Sequence, residues 1–247
     1  MSVFRDLVNI WKSEDNLSQA WSESNDMLHL SHEMFNDAVE ALRSGEKNKV
    51  LKSIKLRDEK INDYHREIRK KVVTYYSVSK DVTNIDSGLV LINTVVDIER
   101  IGDYSKNILD LAKNYPKKFI AEKFSEDLRT IEETVIDRFS STIKAVENMD
   151  ENLADELIAS YRNDLGKISD KLVAASISGD VEIGKENKTA SVALYARYLK
   201  RIGAHLKNIT SLVVNPFESI GYIKSVSYTH LRAHETSLHL VCRLLLE

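Results

Sequence analysis

Carboxylates and imidazoles stand at helical positions where apolar residues belong. A helix that faces a core carries an apolar stripe at alternating four- and three-residue steps. Between residues 54 and 75 that stripe reads Ile54, Asp58, Ile61, His65, Ile68, Val72, Tyr75. Asp58 and His65 therefore occupy core positions. Further on, Ile92 and Val96 lead at the same spacing into Glu99 and Asp103. Upstream, Trp21, Asn25, Leu28, His32, Phe35, Val39 and Leu42 place His32 on a seam. An unpaired buried carboxylate costs several kcal/mol. Three resolutions exist: a raised pKa, pairing with cations, or a bound metal. Carboxylates with imidazole suit iron, manganese, zinc or magnesium.

The heights of these residues can be compared. If the second and third helices fold back near residue 81 or 82, Asp103 falls level with about residue 60 and Glu99 with about residue 64. Folding the first helix onto the second near residue 46 brings His32 level with about residue 60. Asp58, His65, Glu99 and Asp103, with Asn62 and His32, then meet at one height. Arg57, Lys60, Arg100 and Lys106 are nearby in sequence. The plainer reading is that these stripes flank the core and carry solvated charges.

Long helices must position these residues. The chain has 247 residues, 2 prolines and 8 glycines, so loops are few and elements long. Hydrophobic residues are 43% and charged residues 30%, an amphipathic helical composition. No apolar run is long enough for a transmembrane helix. The N-terminal stretch is too charged for a signal peptide. The net charge of −3 argues against nucleic-acid binding by bulk charge. A single cysteine excludes an internal disulfide framework and suits a reducing cytoplasm. The periodicity predicts six long helices, near 16–45, 48–77, 86–114, 121–148, 151–178 and 186–214. A short amphipathic helix bearing Val3, Phe4, Leu7, Val8, Ile10 and Trp11 precedes them.

The third and sixth helices repeat one another. Arg100-Ile-Gly-Asp-Tyr-Ser-Lys-Asn-Ile108 matches Arg201-Ile-Gly-Ala-His-Leu-Lys-Asn-Ile209, an offset of 101 residues (201 against 100). This implies two three-helix units with antiparallel neighbours. Glycine inside a helix costs about 1 kcal/mol relative to alanine. Its recurrence suggests close packing at Gly102 and Gly203. In the second unit, Lys200 and Ala204 stand where the first has Glu99 and Asp103. The same folding argument sets Lys200 level with Asp164, predicting an Asp164–Lys200 ion pair aided by Arg197.

Glu99-Arg-Ile-Gly-Asp103 followed by Lys106-Asn107-Ile108, with Asp58-Glu-Lys-Ile-Asn62 on the preceding helix, resembles the signature of PhoU-domain proteins. The resemblance covers residues 16–222. It implies an all-α fold, with two tandem three-helix PhoU-like repeats forming an antiparallel six-helix bundle. The expected division is an N-terminal amphipathic helix at 1–15, repeats at 16–117 and 118–225, and a foreign tail at 226–247. Residues 226–236 resemble a translated sequencing adapter, which sets that last boundary. The resemblance further implies a non-catalytic cytoplasmic regulator of phosphate uptake and phosphate-starvation signalling. Its partners would be phosphate transporter subunits or a sensor kinase, with membrane association only through them, and a homodimer is compatible. Some relatives hold iron or zinc clusters through paired Glu/Asp-x-x-x-Asp motifs. Carried over, Asp58, Asn62, Glu99 and Asp103 become metal ligands in the first unit, with His65 in an acid's usual place. Glu59 and Asp63 form an adjacent register. The metal would be iron, zinc or manganese at one site.

Two other function classes stand beside this one. A metal-free helical adaptor would use the acidic seam only for ion pairs. A di-iron carboxylate enzyme would need Glu-x-x-His on two helices, and residues 1–225 contain none. The body has no Gly-rich phosphate loop and no Cys/His pair. Lys117-Lys118 and Arg69-Lys70-Lys71 are short basic clusters that read as solvated surface.

Overall fold

The computed structural model describes residues 16–79, 85–115, 119, 124–161, 165–178, 189–215 and 220–221. The expected N-terminal helix at 1–15 and the expected foreign tail at 226–247 lie outside the described residues. Every regular element among the described residues is an α-helix. They are α1 (Asn16–Ser44), α2 (Asn48–Lys55), α3 (Arg57–Ser79) and α4 (Ile85–Asn114) in the first half. In the second half they are α5 (Ser125–Glu147), α6 (Glu151–Ser160), α7 (Leu165–Ser178) and α8 (Thr189–Ser211).

Two of the six expected rods are broken. The second divides at Leu56, whose backbone stays helical (φ −63°, ψ −20°). The hydrogen bonding tightens there, with Glu59 N–H donating to Leu56 C=O at 3.2 Å. Leu56 is 60% exposed, so no packing holds the rod straight at that point. The fifth divides after Ser160. Buried Arg138 reaches over from α5 and donates to the Ser160 carbonyl at 2.7 Å. Its guanidinium lies 4.4 Å from the Tyr161 ring centre. A carbonyl left open by the end of α6 is thereby satisfied.

The other ends follow local chemistry. Gly45 closes α1 at φ 75°, a conformation free of strain only for glycine. Its N–H and that of Glu46 both donate to the Ala41 carbonyl, at 3.1 and 3.2 Å. Asp150 caps α6 by accepting from Leu153 N–H at 3.0 Å.

α4 and α8 run antiparallel through the middle of the bundle. Asp97 of α4 accepts from His205 Nδ1 at 2.7 Å and from Asn208 Nδ2 at 3.1 Å, both on α8. Seven residues along α4, the Tyr104 hydroxyl accepts from Arg201 Nε at 3.1 Å. The numbers rise on one helix as they fall on the other. Tyr104 and His205 are equivalent under the 101-residue offset, and their rings lie 5.8 Å apart. The two halves therefore meet about an approximate two-fold axis. α1 and α5 also cross between halves, through His29–Glu147 at 2.5 Å and Arg43–Glu132. Arg43 Nε donates to Glu132 at 2.9 Å, and the fully buried Tyr195 hydroxyl donates to the same oxygen. The Arg43 guanidinium lies 5.7 Å from the rings of both Phe119 and Tyr195.

The apolar core runs the length of the bundle. Met27, Met34 and Phe35 of α1, Ile61 and Ile68 of α3, Phe139 of α5 and Leu199 of α8 are fully buried. The two glycines of the repeated motif differ. A methyl group on Gly102 would lie 3.2 Å from Ile61 Cδ1, whereas one on Gly203 would meet Leu165 at an ordinary 3.4 Å.

Gly203→Ala should raise the melting temperature, since alanine gains about 1 kcal/mol in a helix interior. Gly102→Ala should lower it, because crowding a buried isoleucine costs about 1–3 kcal/mol. Arg43→Met should destabilise by roughly 2 kcal/mol in chemical denaturation, leaving Glu132 buried and short of a partner. Adding Glu132→Gln should recover most of that loss.

Candidate functional site

The seam of α3 is buried along its length. Ile54, at the end of α2, and Asp58, Ile61, Ile68 and Val72 are buried, and His65 is half-buried. On α4 the deeply buried stripe is Leu91, Val95, Ile98, Gly102 and Ser105. Ile92, Val96, Glu99 and Asp103 lie one position round from it, half-buried at the edge of the core. That corrects the stripe read from periodicity. α4 is apolar around so much of its surface that spacing does not single out its deepest line.

Asp58, Asn62, Glu99 and Asp103 are brought to one place, with Lys106 among them. Lys106 Nζ donates to Asp58 Oδ2 at 2.7 Å and to Asp103 Oδ1 at 3.0 Å. Asn62 Nδ2 donates to the same Asp58 oxygen at 3.2 Å. Arg100 Nη1 donates to Asp103 Oδ2 at 3.0 Å, and Arg100 Nε lies 3.5 Å from Glu99 Oε2. The side chains of Asp58 and Glu99 are 12% and 16% exposed, that of Asp103 31%. Antiparallel packing of α3 on α4 sets Asp58 beside Lys106. Helical spacing sets Lys106 one turn beyond Asp103 and two beyond Glu99.

The electrostatics follow from crowding three carboxylates around two cations. Burial raises the Glu99 pKa, and the Asp103 and Asp58 carboxylates raise it further against the opposing pull of Arg100 and Lys106. Burial alone would lower the Lys106 pKa. Hydrogen bonds to Asp58 and Asp103 outweigh that and hold it above its ordinary value. His65 has a lowered pKa, from burial and from the guanidinium groups of Arg69, Arg100 and Arg66. Its Nε2 is buried and without a hydrogen-bond partner. Glu59 faces a cavity of about 550 Å³ that Lys52, Lys55, Leu56, Asp58 and Lys106 also line. Asp63 pairs instead with Arg66.

These residues do not fit a metal cluster as placed. Among the described residues, no group of three or more His, Cys, Asp or Glu side chains is arranged to hold one ion. The place between Asp58 and Asp103 belongs to an ammonium group. His32 is elsewhere, packed 4.7 Å from the Phe139 ring and bonded to Asn36 at 3.0 Å.

The second half is built differently. Lys200 donates to both oxygens of Asp170, at 2.6 and 2.7 Å, and Arg197 lies 3.5 Å from Asp170. Asp164, the partner expected for Lys200, lies outside the described residues. Lys200 also passes beside Gly166, so it lies against α7 between that residue and Asp170. Sequence reasoning missed Asp170 and the Asp97–His205 pair, and it named Lys106 only as one of four nearby cations. Only the Lys106 bridge had a local signal, the three-residue step from Asp103.

Residues 25–112 match the PhoU domain. The fold is similar to that of PhoU from Pseudomonas aeruginosa, with a TM-score of 0.69 and 22% identity over 81% of this chain and 95% of that one. It is also similar to the phosphate transport system regulatory protein PhoU from Streptococcus pneumoniae. There the TM-score is 0.64 and the identity 18%, over 80% of this chain and 93% of that one. No curated protein matches the chain in sequence.

A carboxyl group with a raised folded-state pKa stabilises most below its ordinary value, here 4.5, and that contribution is lost as pH rises through the folded value. Glu99→Gln should therefore raise the melting temperature at neutral pH. The gain should shrink as the pH falls to about 4.5 and below. His65 acts in the opposite sense. Its contribution is present above 6.5 and fades on acidification. Melting curves of wild type and Glu99→Gln between acid and neutral pH check both the sign and the window.

Proposed function

With the PhoU domain at residues 25–112 as the premise, we propose that this chain is a non-catalytic regulator of phosphate uptake and phosphate-starvation signalling. The observation that carries the reading is the domain match, joined to a whole-chain likeness to two PhoU structures. One of those is a phosphate transport system regulatory protein by name. The site chemistry agrees with a regulator. Carboxylates in the seam are tied to Lys106 and Arg100 rather than aimed together at an open cleft. No helix among the described residues is long and apolar enough to cross a membrane. Contact with a transporter would then be made from the membrane's face, through partner subunits. The reading places the chain in the cytoplasm, where transporter subunits and a sensor kinase can both be reached.

A metal-free adaptor is the second reading, and the Lys106 bridge favours it over a metal-dependent one. The two differ in their partners. A phosphate regulator should bring down phosphate-transporter subunits or a sensor kinase in affinity capture, and the yield should change between phosphate-replete and phosphate-starved cells. Capture of neither under both conditions would leave the adaptor.

A further inference from the structure

The position of the Lys106 ammonium is that of a bridging cation. It contacts carboxylate oxygens from two different helices, Asp58 Oδ2 on α3 at 2.7 Å and Asp103 Oδ1 on α4 at 3.0 Å. Divalent calcium takes oxygen ligands at about 2.3–2.6 Å, so an ion at this point would need shifts of only a few tenths of an ångström. The donors are oxygens alone. Asn62 turns its amide N–H₂ toward Asp58, and the charges that act on His65 are arginines. Such a set suits hard cations such as magnesium, calcium and manganese rather than zinc bound by nitrogen and sulfur.

The charge count points the same way. Asp58, Glu99 and Asp103 carry three negative charges, and Lys106 and Arg100 supply two positive ones. Without Lys106 the remaining excess is two, which one divalent ion would cancel. Lys106 also lines the cavity of about 550 Å³, together with Asp58. An ion can enter from that side, and a displaced lysine side chain has room to swing into it.

We infer that Lys106 is the resident cation of the acidic seam: its ammonium fills the place a divalent ion would take, so Lys106 and a metal ion exclude one another there. The wild-type chain is then complete at this site without metal. The claim is independent of the regulatory reading, since it concerns only which cation the seam holds.

Manganese titration of the full chain tests it, read by calorimetry and by melting temperature. Wild type should show no stoichiometric seam binding and no stabilisation. Lys106→Met should melt lower without metal, recover with Mn²⁺, and bind one ion per chain more than about tenfold tighter than wild type. Adding Asp58→Asn to Lys106→Met should abolish that binding. If Lys106→Met does not fold alone, refolding with Mn²⁺ decides: rescue supports the inference, and no rescue overturns it. Equal Mn²⁺ affinity in wild type and Lys106→Met, or a variant that gains none, would also overturn it.

Discussion

A helix covered on several sides cannot send the charged side chains of its covered faces to water. α4 and α8 are such helices, each shared between its own half of the bundle and the other. Ionisable residues on those faces must find partners inside the protein or change protonation state. Asp97 finds His205 and Asn208, and Asp103 finds Lys106 and Arg100. Glu99 lies 3.5 Å from the Arg100 guanidinium, and burial with the neighbouring carboxylates still raises its pKa. The polar features of the bundle centre are answers to that one restriction.

The approximate two-fold relation makes the two halves comparable position by position. Glu99 and Asp103 correspond to Lys200 and Ala204. In the first half the acids gather at a buried height, and Asp58 is almost fully covered. In the second half Lys200 reaches Asp170, whose side chain is 58% exposed. An exposed pair of that kind contributes about 0–1 kcal/mol, whereas a buried carboxylate without its partner costs more. The same backbone position thus carries high electrostatic stakes in one half and low stakes in the other.

The site was partly legible in the sequence. A fold-back point near residue 82 placed Asp58 near Asp103, and the structure sets them around one ammonium. The matching argument for the second half chose Asp164, which lies outside the described residues, and the structure shows Lys200 reaching Asp170 one helical stretch further on. Connection length is not encoded in helical periodicity, and an error of a few residues moves the partner by more than a turn. The break at Leu56 was hidden for a related reason. Its backbone stays helical, and no proline or glycine marks it.

Sequence alone determined the all-helical class, the long rods, the duplication and the placing of acids on helix faces that meet a neighbour. Each is written in local terms: residue spacing, scarcity of proline and glycine, and a repeated motif. The tertiary structure decided which of three remedies each buried acid uses. Asp58 and Asp103 share a lysine, and Glu99 shifts its proton affinity. It also joined the halves through Asp97 with His205 and Arg43 with Glu132. Those pairs span about a hundred residues, and no local pattern reports them. They depend on the direction and height at which two helices cross, which the packing of the whole core sets.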